Sequence, residues 1–154
     1  MGAWGIKGLE SDEGLDVVDF LRDRIPDHLS LELSELITVM KEEGLLGSTF
    51  EEIDFYYDNT ALALAELYLM FQETGKLDYD HEDEKKSLRT IRSFTADEAS
   101  LRLILRYLTD IRDEVPDEDG EREIVELWRD SPNWEAWKVH LEQLMMKIEE
   151  HLIA

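Results

Sequence analysis

The sequence predicts an all-α protein, a single-domain bundle of about six helices packed around one buried central helix. Three observations carry this expectation. From Ala61 to Phe71 only Glu66 is polar, so a helix there is apolar on nearly every face and needs neighbours all round. Apolar residues recur at three- and four-residue spacings through most of the remaining chain. Finally, 154 residues that are 43% hydrophobic suffice for one proper core.

The central helix has its own start and stop signals. Asp58 or Thr60 suits its N-cap, because a short side-chain oxygen satisfies an otherwise orphaned backbone N–H. Gly75 suits its end, since glycine enters the left-handed conformation without steric cost. Before it, Met1-Gly2-Ala3-Trp4-Gly5-Ile6-Lys7-Gly8 reads as a tight segment packed closely against the domain, with Trp4 as its buried anchor. The functional alternative for this stretch is an anion nest of glycine backbone and Lys7, just ahead of a helix beginning at Ser11 or Asp12. No Walker spacing accompanies it.

That first helix carries Leu15, Val18, Leu21 and Ile25, and Pro26 stops it. Leu29, Leu31 and Leu33 alternate as a short strand would, but Leu36, Ile37 and Met40 are spaced for a helix, which is favoured over most of Ser30 to Glu43. Ser48 or Thr49 followed by Glu51-Glu52 signals a short helix containing Phe50, Ile53 and Phe55. Thr95 and Glu98 have capping-box spacing, opening a helix with Leu101, Ile104, Leu105, Leu108 and Ile111 that ends at Val115-Pro116. Glu121 to Arg129 forms another, with Ile124, Leu127 and Trp128. Beyond Ser131-Pro132, Trp134, Trp137, Leu141, Leu144, Met145, Ile148 and Leu152 make a clean apolar stripe. At helical spacing, Trp128, Trp134 and Trp137 are core or edge residues rather than a stacking platform for a ligand.

Chemistry is harder to find than structure. Asp78-Tyr79-Asp80-His81-Glu82-Asp83-Glu84 places five carboxylates in seven residues. A Ca²⁺ loop starting at Asp78 needs glycine sixth and a bidentate acid twelfth; Asp83 and Arg89 stand there, so a solvated acidic loop is expected. The four histidines are scattered, and no metal, cofactor or catalytic residue is assigned. The absence of cysteine excludes disulfides and thiolate chemistry. No signal-peptide pattern opens the chain, Ile6 stands where a myristoylation pattern needs Ser or Thr, and the central apolar run is too short to span a bilayer. The expected location is cytoplasmic, with no membrane partner.

The opening Met1-Gly2-Ala3-Trp4-Gly5, followed by Leu9-Glu10-Ser11-Asp12-Glu13-Gly14-Leu15-Asp16, resembles a bacterial family classed as domain of unknown function 4259. The resemblance implies a small helical cytosolic protein and brings no catalytic residues with it.

Charge supplies the functional expectation. Against 38 acidic residues stand 16 basic ones, a formal charge of -22. Such a surface repels phosphate backbones, which disfavours nucleic acid bound through basic contacts, and it speeds encounter with a basic protein. The acid concentrates in Asp78–Glu84 and Asp113–Glu121. The candidate partner-binding residues are therefore Asp80, Glu82, Asp117 and Asp119, joined by Tyr56 and Tyr57, whose rings combine apolar area with a polar tip. The expected function is a non-enzymatic protein-binding or inhibitory role of the immunity type. The alternative is a small enzyme using carboxylates in a helical-bundle pocket near Tyr56 or Trp134.

Overall fold

The computed structural model describes residues 7–24, 30–77 and 91–153. Trp4, the Asp78–Glu84 loop with Asp80 and Glu82, and the Pro26 stop all lie outside the described residues. Among the described residues are six helices and two short strands: α1 (Asp12–Arg24), β1 (Ser30–Glu32), α2 (Leu33–Glu42), α3 (Phe55–Thr74), β2 (Ser93–Thr95), α4 (Glu98–Arg112), α5 (Glu123–Arg129) and α6 (Trp134–Ile153). The fold is mostly helical, as the periodicity predicts.

Helix α3 is the central element. Every residue from Asp58 to Leu69 is buried, and the helix packs against α1, α4, α5, α6 and β2. Each leucine buried this way contributes on the order of 1.5–3 kcal/mol through removal of apolar surface from water. The helix begins earlier than predicted. Asp54 is the N-cap, its carboxylate accepting from the Tyr56 amide at 2.8 Å. Asp58 and Thr60, the predicted caps, sit inside the helix, and the Thr60 hydroxyl donates to the Tyr56 carbonyl. Gly75 does end it, at φ 77°, with its amide bonded to the Phe71 carbonyl.

The remaining differences are local. Of the alternating leucines, Leu31 does lie in a strand: β1 runs parallel to β2, pairing Leu31 with Phe94, and both side chains enter the core. The favoured helix over Ser30 to Glu43 therefore starts only at Leu33. Residues 48–51 are a turn rather than a helix, because the Glu52 carboxylate reaches back to the Ser48 amide at 2.6 Å and α3 already claims Phe55. Thr95 lies in β2 and does not cap α4. Asp97 does so, accepting from the Ser100 amide at 2.7 Å. In α1 the core residues are Val17, Val18 and Leu21, while Leu15 is 38% exposed. Ser11 caps α1, its hydroxyl accepting from the Gly14 amide.

The three tryptophans pack on one another. Trp137 lies stacked between Trp128 and Trp134, with centroids 5.9 and 5.7 Å away. They tie α5 to α6 and present no open stacking face.

Candidate functional site

Two buried carboxylates on α3 are the centres of charge inside this protein. At its first turn, Asp58 forms a two-pronged pair with Arg122, at 2.7 Å and 3.0 Å, and the guanidinium also donates to the Val115 carbonyl at 3.1 Å. Both side chains are almost completely shielded from water. Burial pushes the Asp58 carboxyl up to about 6, and the Arg122 guanidinium pulls against that shift without cancelling it. The pair joins α3 to the start of α5 and to the 113–122 turn.

Two helical turns further on, Glu66 holds the N-terminal segment. Its carboxylate accepts from the Gly8 amide at 2.7 Å and the Leu9 amide at 2.9 Å. The third partner is His140 Nε2 on α6, at 2.7 Å from Oε2. The Gly8 and Leu9 amides thus hold an anion, and that anion is the protein's own glutamate. Gly8 is required by the close approach: a Cβ there would lie 2.6 Å from the Leu62 Cβ and 2.9 Å from the Ala63 nitrogen. The Ser11 hydroxyl donates to the Gly8 carbonyl and fixes the turn.

Beside Glu66 a cleft of about 230 Å³ opens between α3, α6 and the N-terminal segment. Leu9, Leu69, Met70 and Leu144 form its apolar wall, and Lys7, His140 and Lys147 contribute its cationic and imidazole groups. Sequence reasoning missed this site. A single carboxylate inside an apolar helix was the available signal, since a buried charge needs donors. Nothing local pointed to His140, 74 residues away.

The predicted contact residues fall elsewhere. The Asp117 carboxylate organises its own turn, accepting from the amides of Asp119 and Glu121, both at 2.9 Å. Asp119 is exposed beside it. The Tyr56 hydroxyl donates to Asp16 at 2.9 Å, and burial, with that hydrogen bond, pushes it up to about 12. Tyr57 is half-buried and packs against the core. An acidic surface links these positions. Desolvation and the neighbouring carboxylates Asp12, Asp16 and Glu123 raise Glu13 on α1, whose Oε2 is shielded without a hydrogen-bond partner among the described residues. Desolvation and the carboxylates of Glu121, Asp117, Asp130 and Glu123 likewise raise Glu126 on α5.

The pocket expected near Trp134 amounts to about 30 Å³, the room of a single water. A wider groove of about 470 Å³ lies between Phe50, Arg106, Asp110 and Pro116, with Asp117 at its edge. Among the described residues no three histidine, aspartate or glutamate side chains gather as a metal-ligand set, and no helix is long and apolar enough to cross a membrane.

Compared with known families, the chain matches Domain of unknown function (DUF4259) over residues 2–140. The chain belongs to this family. The matched span takes in Gly8, Asp58, Glu66, Arg122 and His140, so both buried carboxylate systems lie within the family's domain. No curated protein and no solved structure matches the chain.

Proposed function

We propose that this protein is a non-enzymatic binding protein whose acidic face, formed by α1, α5 and the 113–121 turn, engages a basic protein surface. The observation that carries this reading is the clustering of carboxylates on that face without enough cations to neutralise them. The carboxyls of Glu13 and Glu126 are both raised, by desolvation and by like-charged neighbours. An incoming lysine or arginine would relieve that repulsion as well as form new pairs. Tyr56 lies against the same face through Asp16 and offers a rigid aromatic body beside the charge. Residues Asp80 and Glu82 enter the proposal by sequence alone. An inhibitory role of the immunity type is the specific form we favour, with the cytoplasm as its setting.

The proposal is tested by capturing partners at low and moderate salt, then measuring association with Asp119, Glu121, Glu123 and Glu126 replaced by their amides. Exposed charges act over a screening length of about 8 Å at physiological ionic strength and govern mainly the rate of encounter. The variant should associate more slowly at low salt, with dissociation little changed. An unaltered association rate would reduce the acid to a solubility device.

A further inference from the structure

We infer that the cleft between α3 and α6 is a binding site for a small monocarboxylic acid with an apolar body. The inference rests on which of its polar groups are already used. The three donors on Glu66 satisfy both of its oxygens and hold it inside the protein. Glu73 is paired with Lys147 at 2.8 Å. The Thr74 hydroxyl lies within hydrogen-bond reach of the Met70 and Lys76 carbonyls, which occupy it. One cation in the lining remains free. The Lys7 ammonium has no ion-pair partner among the described residues. His140 gives its Nε2 proton to Glu66, which leaves Nδ1 as a hydrogen-bond acceptor and not as a donor for an anion.

This remainder selects the class of ligand. A cation entering the cleft would find the Glu66 oxygens already filled by three donors and Glu73 paired with Lys147. A multiply charged anion would find a single unpaired ammonium on a chain of formal charge -22, and the field of that chain would oppose it. One negative charge placed at Lys7 is matched, and the body behind it would meet Leu9, Leu69, Met70 and Leu144. The volume, about 230 Å³, equals that of roughly eight waters at about 30 Å³ each. A chain of around six carbons fits that space. Few polar groups beside an apolar wall is the usual composition of small-ligand sites. The site is independent of the acidic face, so its success or failure leaves the proposed function standing.

The probes are hexanoate, acetate and hexylamine, titrated into the full-length protein while the His140 ring and the Leu and Met methyl resonances are followed. Hexanoate should shift His140, Leu69 and Leu144 saturably, with Kd of about 1 mM, as expected for so few atoms. Acetate, lacking the apolar body, should bind at least about tenfold more weakly, since each buried methylene is worth about 0.8 kcal/mol. Lys7→Gln, at an exposed position that keeps the fold, should weaken hexanoate by about fivefold, the scale of one solvent-exposed charge pair. Saturation absent with hexanoate, equal binding of hexylamine, or an unchanged affinity in Lys7→Gln would each overturn the assignment.

Discussion

Asp58 and Glu66 sit on one helix, both buried, and are satisfied in opposite ways. Asp58 meets a permanent cation from a distant turn, and the pair is sealed on all sides. Glu66 meets two backbone amides and one imidazole, and a cleft opens next to it. A guanidinium cannot lose its proton in a protein, so the first arrangement is fixed. Backbone amides are fixed by the chain path instead, so the second arrangement holds only while the N-terminal segment stays docked. One carboxylate locks the bundle and the other fastens the segment to it.

The widest contrast should come from removing one partner at each centre. Arg122→Met leaves Asp58 buried without its cation, and a broken buried pair costs about 3–5 kcal/mol. Asp58→Leu combined with Arg122→Met should recover most of that loss, because the double change removes both desolvated charges. Urea unfolding of the three proteins measures this. A double variant as unstable as Arg122→Met alone would mean that packing, rather than charge, dominates the site.

At the second centre the effect should be smaller and confined to the segment. Glu66→Gln keeps one acceptor oxygen for two backbone donors, and a hydrogen bond to a charged group is worth about 1.5–3 kcal/mol. Gly8→Ala drives a methyl into Leu62 and the α3 backbone, an overpacking cost of about 1–3 kcal/mol. In both variants, hydrogen exchange at Gly8 and Leu9 should accelerate while the Asp58 end of α3 keeps its protection. Uniform acceleration along α3 would show that the segment and the bundle unfold as one unit.

The contrast also explains what could be read in advance. The central helix and most of the apolar stripes are local patterns, and local patterns are legible. Asp58 looked like a cap because its partner lies 64 residues away, inside an acidic stretch where Arg122 reads as incidental. Glu66 stood out as the one polar residue in its run, yet a lone histidine on a later helix could not be matched to it by spacing. Gly8 and Leu9 hold an anion with their amides, but no local signal placed that anion in the middle of the buried helix. The strand pair failed to register for the same reason: three residues per strand carry little periodicity, and Leu31 and Phe94 stabilise each other only once the chain has closed.

Acidity should separate the two centres further. The Asp58 carboxyl is raised to about 6 in the folded protein, above its unfolded value near 3.9. The native state therefore binds this proton more readily than the unfolded chain. Its contribution to stability is complete below the unfolded value and is lost as pH rises through about 6. Between about pH 7.5 and pH 5.5 the gain is on the order of 1 kcal/mol. The raised Glu13 and Glu126 act with the same sign. Asp97, lowered by its hydrogen bonds to Ser100, acts with the opposite sign in stronger acid. Thermal melts should show the midpoint rising toward mildly acidic pH, and Asp58→Asn should flatten that rise. A profile that Asp58→Asn leaves unaltered would assign the effect to the surface acids.

The smallest expected effect tests which donors hold Glu66. His140 is only partly buried, with 16% of its side chain exposed, and water can reach its edge of the cleft. Gln at this position can still donate to Glu66, and the two backbone amides remain. His140→Gln should therefore cost about 0.5 kcal/mol or less, at the low end for a hydrogen bond between partly hydrated groups. Exchange at Gly8 and Leu9 should stay slow, because their acceptor has not moved. A loss above about 2 kcal/mol, or rapid exchange at those two amides, would make the imidazole the true anchor of the carboxylate. The docking of the N-terminal segment would then depend on a side chain of α6 and not on the path of its own backbone.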